Sequence, residues 1–464
     1  MTQRLPVPPA PGPLETYCQQ FDALFRQHNQ RDRFRRYLEG LLLPAERNKT
    51  LTALANTEPV AGAHHPHAQS LQWFLSESTW DAEAVNERRL GVLRANPVTA
   101  PTADGVLVID EHGDRKWGSK TAHIGKQYLA NLGKTDTGVV SVTSLWADEH
   151  LYYPLHVEPY TPAHHFEQGK ADPDFRTKLA IAVELIQRAV DVGIPFRAVV
   201  ADCFYGEDRH VQQGIRDLGQ GYVLGLKPSH AWWHPIGSIG SLQEAAEAAG
   251  WQSPKAPGAW VRIQRFFQDG HTETWWALEV TIGPYGSEKP IRAVVATTDP
   301  ATLPKHGTWY LTTNLPAPES VRAHEMDGVP PADLAEIIRL YGLRNWVEQS
   351  YKQTKGALGW SDYQVRSDQA IRRHWALVCC AFSFCWYHQS QASSGTDRLA
   401  ETESAPKEEA IGKKNRDHAS ASSTALLASG TPGSASVAGA LDHALALLAR
   451  LVESAPASAA ATPP

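Results

Sequence analysis

The sequence predicts an α/β protein built on a mixed sheet of five strands with flanking helices. Short apolar runs bounded by turn residues alternate with longer helical patterns between residues 105 and 227. The first three strands are joined by short links and are therefore antiparallel, whereas helices separate the later strands, which are therefore parallel. With 464 residues, 42% of them hydrophobic and 20% charged, the chain can bury a sizeable core.

The predicted elements of this sheet follow in a defined order. The first strand covers residues 105–109 and ends in Asp110, and a later strand at 196–201 ends in Asp202. The remaining strands are predicted at 138–146, 151–158 and 222–227, and the helices at 177–192 and 208–218. A mixed sheet in the order strand, strand, strand, helix, strand, helix, strand is the ribonuclease-H-like architecture.

The regions around this sheet have different compositions. Residues 1–100 are predicted to form a helical N-terminal domain, and residues 101–229 with 316–388 the unit that contains the mixed sheet. Residues 230–315 are predicted to be a β-rich insertion, with strands at 260–267, 274–282, 291–298 and 309–314. The helix after the insertion starts at Asp333 and runs to about residue 356. The remaining residues, 389–464, are rich in Ser, Ala, Thr and Pro. They are predicted to be a largely disordered tail with a short helix at 437–452.

The net charge of −6 argues mildly against a nucleic-acid partner, because DNA-binding domains are usually basic. Two stretches are nevertheless locally basic, residues 26–36 and residues 339–373. Each is compatible with phosphate binding or with a solvated helix face. No apolar run approaches the length that spans a bilayer, and the five cysteines form no CxxC pair. We therefore expect a cytoplasmic protein with no membrane partner.

Two aspartates that follow apolar strands are candidate metal ligands. Asp110 ends the run VLVID, and Asp202 ends the run RAVVAD. Polar groups at the carboxyl ends of strands commonly form sites, and carboxylate oxygens bind hard cations. Either aspartate alone is more simply explained as the start of a turn or a helix cap. The metal interpretation gains weight because both lie on one predicted sheet.

A third acid occurs in an unusual setting. Tyr341, Arg344, Glu348 and Lys355 are spaced so that one helix would present them within roughly 60° of arc. Ordinary i,i+4 surface pairing explains part of this pattern. The aromatic residues among the basic ones favour contact with nucleic acid, where bases stack and phosphates pair.

The spacing Y-x2-R-x3-E-x6-K resembles the signature of bacterial insertion-sequence transposases of the DDE superfamily, in the branch named after these four residues. The segments IDEHGDRKWG, GKQYLANLGK and VVADCFYG are similar to the blocks around the first two acids of that family. The resemblance covers roughly residues 15–385. It implies that Asp110, Asp202 and Glu348 are the catalytic acids and hold two Mg²⁺ ions, for which Mn²⁺ can substitute.

The resemblance also implies a reaction and its partners. Water cuts double-stranded DNA at the terminal inverted repeats of the transposon, and the freed 3′-hydroxyl then attacks target DNA. Residues 1–100 would be the DNA-binding domain, and residues 101–229 with 316–388 the catalytic core. Tyr341, Arg344, Lys352 and Lys355 would bind phosphates near the cut. A homodimer is expected in the DNA complex, because two ends are cut together. The protein is expected to associate with the bacterial nucleoid. Trp275, Trp276 and Trp346 are candidates to stack on a displaced base.

Three alternatives remain open from the residues. A transposase-derived DNA-binding or regulatory protein would bind without cutting, which suits the acidic net charge but not the intact acid triad. A ribonuclease-H-like nuclease without strand transfer would need neither the β-rich insertion nor the helical stripe. A tyrosine or serine recombinase is disfavoured, because no cluster of Arg and His residues is arranged around Tyr341 as partners of a nucleophile.

Overall fold

The computed structural model of the chain describes residues 10, 12–44, 47–58, 61–233, 239–267, 270–282, 291–320 and 328–403. Its strands are β1 Val106–Arg115, β2 Gly125–Leu129, β3 Lys134–Ala147, β4 Tyr152–Tyr160, β5 Ala198–Ala201, β6 Tyr222–Gly225, β7 Ala231–Trp233, β8 Ile239–Ser241, β9 Val261–Phe266, β10 Thr272–Ile282, β11 Ile291–Thr297 and β12 Thr308–Thr313. Its α-helices are α1 Pro13–Gln19, α2 His28–Leu42, α3 Leu51–Leu54, α4 Pro66–Ser76, α5 Ala82–Arg94, α6 Lys178–Asp191, α7 Cys203–Gly206, α8 Arg209–Asp217, α9 Leu242–Glu247, α10 Leu334–Gly342, α11 Asn345–Gly356 and α12 Asp368–Glu403.

The predicted five-stranded mixed sheet is present, in the spatial order β4-β3-β1-β5-β6. β3 pairs antiparallel with both β4 and β1, and β1, β5 and β6 pair parallel. Thr177 is the N-cap of helix α6, and its side chain accepts a hydrogen bond from the backbone N–H of Ala180. The helix buries an apolar face on the sheet. The α/β, ribonuclease-H-like fold class predicted from the sequence is confirmed.

The sheet is wider than predicted, because the β-rich insertion continues it. β12 pairs antiparallel with β6, and β11, β10 and β9 follow in turn, so the sheet has ten strands. The insertion strands predicted at 260–267, 274–282, 291–298 and 309–314 correspond to β9–β12. An unpaired β6 would expose a row of backbone N–H and C=O groups, and pairing with β12 satisfies them.

The N-terminal helices share one hydrophobic core with the sheet and with α12. The Tyr17 hydroxyl donates to the carbonyl of Cys380, and the buried Arg89 donates to the Ser383 hydroxyl. Helix α12 therefore attaches residues 13–94 to the unit that contains the sheet. It also continues to Glu403, into the segment predicted to be disordered. The helix predicted at 437–452 lies outside the described residues.

The single helix predicted from Asp333 to about residue 356 is in fact two helices. The predicted cap is present, since the Asp333 side chain accepts a hydrogen bond from the backbone N–H of Glu336. α10 ends at Gly342, and a Cβ on that glycine would lie 2.4 Å from the Arg265 guanidinium. At the junction, the N–H of Arg344 bonds to the residue three positions back, as in a 3₁₀ turn. The break separates Tyr341 from the other residues of the predicted stripe.

Candidate active site

Two of the predicted acids meet where β1 and β5 separate. The parallel pairing of these strands ends at Ile109 and Ala201, so Asp110 and Asp202 occupy the next position on each strand. β1 itself continues to Arg115, paired with β3. The prediction that Asp110 ends its strand is therefore wrong. The two aspartates are still brought together, because β1 stops pairing with β5 at this point although β1 itself continues.

Backbone N–H groups hold both carboxylates. One oxygen of Asp110 accepts from the N–H of Glu111 at 2.7 Å, and the other accepts from Arg344 Nη2 at 3.2 Å. Asp202 Oδ1 accepts from the N–H of Phe204 at 3.0 Å and caps the short helix α7. Asp202 is thus a helix cap, the ordinary role considered for it, and also the neighbour of Asp110.

The environment of this pair disfavours two negative charges. Burial raises the pKa of Asp110 to about 7; the Arg344 guanidinium lowers it and the Asp202 carboxylate raises it. The Asp110 side chain is only 14% exposed. Two poorly solvated carboxylates at adjacent positions form the kind of oxygen donor set that a hard divalent cation satisfies. The residues present fit a metal ion at this point.

Glu348 lies near Asp110 and Asp202 but contacts Arg344 instead of either aspartate. Its side chain is 67% exposed, and Oε1 is 3.7 Å from Arg344 Nη1, so one guanidinium connects Glu348 to Asp110. Within the described part of the chain, no three His, Cys, Asp or Glu side chains lie close enough together to hold one metal ion. The structure therefore brings Asp110 and Asp202 together and leaves Glu348 at the rim.

Alternate residues of β1 face α11. Asp110, His112 and Asp114 share one side of the strand because side chains alternate along it. The His112 ring lies 4.6 Å from the ring of Tyr351, and Asp114 Oδ1 lies 2.6 Å from Lys355 Nζ. Together with the contact between Asp110 and Arg344, these pairs align α11 along β1. Two cations of the predicted stripe thus meet two acids of one strand.

The four predicted phosphate-binding residues occupy different environments. Lys352 is exposed, whereas Lys355 is paired with the buried carboxylate of Asp114. The Tyr341 hydroxyl lies against β6, where a Cβ on Gly225 would approach it to 2.8 Å. Burial raises the pKa of Tyr341 to about 12, so the phenol stays neutral. Arg344 Nε is a buried donor without a hydrogen-bond partner among the described residues. Among these four residues, Arg344 thus offers an unpaired buried N–H and Lys352 an exposed ammonium, whereas Lys355 is already paired with an acid.

Sequence reasoning missed the opposite side of β1. Glu111 Oε1 lies 2.8 Å from Lys178 Nζ, and Glu111 Oε2 accepts from the Tyr205 hydroxyl at 3.3 Å. These contacts fix α6 and α7 against the strand that carries Asp110. The signal was present, because the alternating pattern of Asp110 and Glu111 predicts one acid on each face once β1 is known to extend past residue 109.

The tryptophans proposed to stack on a displaced base are engaged in packing. Trp275 and Trp276 are only 4% and 6% exposed, and the Trp275 ring lies 4.2 Å from that of Trp309. Trp346 stacks on Tyr152, with ring centroids 4.6 Å apart. The base-stacking prediction is wrong for Trp275 and Trp276, because Trp275 is buried against Ile338 of α10 and Trp276 is buried within the β-rich insertion.

Two comparisons with known proteins bear on the family of this chain. A family model described as DDE superfamily endonuclease matches residues 20–275. The chain is also 32% identical, over 370 residues, to a probable transposase for insertion sequence element IS701 from Microchaete diplosiphon. That match covers 79% of this chain and 85% of its relative. The matched family segment contains Asp110 and Asp202, and no described helix is long and apolar enough to cross a membrane.

Proposed function

Because the chain belongs to the DDE superfamily of endonucleases and is an insertion-sequence transposase, we propose that Asp110, Asp202 and Glu348 are its catalytic acids. The observation that carries the proposal is the register of β1 and β5, which sets Asp110 beside Asp202 in a poorly solvated position. Glu348 completes the set by rotation of its side chain. Since that side chain is 67% exposed, its rotamer can change without repacking of the core.

The proposed cofactors are two Mg²⁺ ions, for which Mn²⁺ substitutes, held by Asp110, Asp202 and Glu348. When bound, such ions activate water and stabilise charge on the leaving oxygen. The protein's own contribution is Arg344. Its Nε is a buried donor without a partner among the described residues. In the proposed reaction it donates to a phosphate oxygen, and the guanidinium offsets negative charge that develops during displacement.

The proposed reaction has two displacements at phosphorus. In the first, water forms a new P–O bond and the P–O3′ bond at the transposon end breaks, which leaves a free 3′-hydroxyl. In the second, that hydroxyl attacks a target phosphodiester, forms a new P–O bond and releases the target's 3′-oxygen. Both use the same three acids, and neither requires a covalent bond between protein and DNA.

The proposed partners are the terminal inverted repeats, the target DNA and a second copy of the chain, since two ends are processed together. Residues 1–100 would recognise the ends, and the exposed Lys352 on α11 would contact a phosphate. The proposed location is the cytoplasm, on the bacterial nucleoid.

The test is cleavage of linear DNA that carries the ends of the element encoding this chain. We expect Mg²⁺- or Mn²⁺-dependent nicking at the ends and joining to a target plasmid, both abolished in Asp110→Asn, Asp202→Asn and Glu348→Gln. Asp217→Asn, an exposed acid on α8, is the matched control and should retain full activity.

Metal binding is measured separately, by the loss of the free Mn²⁺ signal in electron paramagnetic resonance. Asp110→Asn and Asp202→Asn should weaken Mn²⁺ binding without changing the circular dichroism spectrum. Binding of the ends without nicking would overturn the proposal in favour of a regulatory protein. Nicking without joining would reduce the function to that of a nuclease.

A further inference from the structure

One segment of the chain is basic and contains no acid. Residues 115–134, called here the basic segment, carry five Lys and Arg residues and no Asp or Glu, in a chain whose net charge is −6. The segment starts at the last residue of β1, contains β2 and ends at the first residue of β3. It thus continues the strand that carries Asp110 into the connection and hairpin beyond it.

Three of its five cations are available to a partner. Lys120, Lys126 and Lys134 are exposed, and in the described ranges no hydrogen bond or ion pair engages them. Arg115 is 3.2 Å from Asp136, and Lys116 donates to backbone carbonyls of the segment before α12. The exposed positive charge of the segment therefore resides on the three lysines.

Two exposed aromatic rings accompany these lysines. Trp117 is 79% exposed with the Arg115 guanidinium 4.1 Å from its ring centre, and Tyr128 is 57% exposed. Lys126 and Tyr128 lie on the same face of β2, because side chains two apart in a strand point the same way. Exposed rings between cations are typical of surfaces that contact nucleic acid.

The segment also lies at a suitable distance from the acids. Lys126 pairs with Thr137 on β3, six residues from Thr143, which pairs with Asp110. At about 3.3 Å per residue, Lys126 lies roughly 20 Å from Asp110 along the strand direction. Duplex DNA advances about 3.4 Å per base pair along its axis. DNA with its scissile phosphate at Asp110 would therefore reach the basic segment about six base pairs from the cut.

We infer that the basic segment binds the phosphate backbone of duplex DNA on one side of the cut, and so positions the scissile phosphate at Asp110. The inference rests on the proposed function, because it places the cut at that aspartate. Charge complementarity selects the partner, because the segment carries three unpaired lysines and no acid, which suits a polyanion. Lys126 and Lys134 lie on opposite faces of the β2–β3 hairpin, so the duplex would contact the hairpin at its edge. Phosphate contacts of this kind are independent of base sequence and fix the register of the protein on the duplex.

The first test is DNA binding by the full chain in EDTA, with a fluorescent duplex that contains an element end and its flanking DNA. The variant Lys120→Gln/Lys126→Gln/Lys134→Gln should bind at least about tenfold more weakly. The slope of log K against log salt should fall by about 2.7, since each lost phosphate contact removes about 0.9. Hydroxyl-radical footprinting should show loss of protection about six base pairs from the cut.

The matched control is Lys170→Gln/Lys255→Gln/Lys305→Gln, which removes three exposed lysines outside the segment. It should retain most of the affinity and the salt slope. Both variants should keep the wild-type melting temperature, because all six side chains are exposed. Equal losses in the two variants, or no loss in the first, would overturn the inference.

The two proposals fail in distinguishable ways. If the wild-type protein binds the ends but never cuts them, the assignment of the acids fails, whereas the binding and footprint results still test the basic segment. If the wild type cuts and the segment variant binds and cuts as well as it does, the basic segment has no role and the acids stand.

Discussion

Two basic regions of this chain differ in what surrounds their charges. In residues 26–36, Arg35 is buried and pairs with Glu15 and Asp22, at 2.7 and 2.8 Å. Arg33 and Arg36 both pair with Asp32. In the basic segment, residues 115–134, three lysines are exposed and without an acidic partner in the described structure. The first region stabilises the N-terminal helices, whereas the second presents charge to solvent.

Residues 339–373, the other stretch predicted to be basic, resemble the first region. Arg339 pairs with Glu149, and Arg372 pairs with Glu158 and Asp368. Arg373 is buried and donates to backbone carbonyls near α4. A high local density of Arg and Lys therefore does not by itself give an exposed positive surface, because nearby acids and backbone carbonyls can engage most of the cations.

We expect the largest effect on the rate of end cleavage, from a change at Arg344, the cation that pairs with the proposed catalytic acid Asp110. Arg344→Ala should lower the rate of end cleavage by 10²–10³-fold, about 2.7–4 kcal/mol, because a preorganised donor to the reacting phosphate is lost. DNA affinity should change little. Single-turnover cleavage and equilibrium binding separate the two effects. A variant that binds poorly but cuts at the normal rate when saturated would place Arg344 with the DNA-binding lysines.

The next effect concerns stability in residues 26–36. Arg35→Met should lower the free energy of unfolding by about 3 kcal/mol, because it leaves two partly buried carboxylates without their cation. Denaturant titration measures the change. Arg26→Met is the control, since Arg26 is an exposed arginine of the same region, and it should change stability by less than about 0.5 kcal/mol. Equal effects would contradict the distinction between paired and exposed cations.

Helix α11 carries one lysine that is paired with an acid and one that is exposed, so the two can be compared on a single helix. Lys355→Met should cost about 1–3 kcal/mol, because the buried Asp114 loses its partner 2.6 Å away. The exposed Lys352→Met should be neutral in stability and should instead weaken DNA binding. Unfolding and binding measurements on both variants test the prediction, and loss of stability in Lys352→Met alone would reverse the assignment.

The last effect depends on pH and distinguishes Lys116 from its neighbours in the basic segment. Burial lowers the pKa of Lys116 from 10.5 to about 8. Between these values the unfolded chain binds more protons than the folded one, so this lysine makes stability rise from about pH 8 to pH 10.5. Lys116→Met should remove that rise, whereas Lys120→Gln should not. Urea titrations across this pH range provide the measurement.

Much of the fold could be predicted from local patterns. The period of two in the strands and of 3.6 in α6 located the five-stranded sheet, and the insertion strands β9–β12 followed from the same signals. The length of β1 could not be predicted, because polar residues after Ile109 interrupt the apolar run that marked it. The pairing of β12 with β6 could not be predicted either, since it joins segments far apart in sequence.

For the candidate site, the sequence by itself determined which residue types are available: two aspartates after apolar strands, and an arginine, a glutamate and two lysines at helical spacing. Only the tertiary structure decided their states, because each depends on a distant partner. Lys355 forms an ion pair with Asp114, Arg344 forms one with Asp110, and Glu348 remains exposed. Charge is encoded locally, whereas its burial and pairing are set by the packing of α11 on β1.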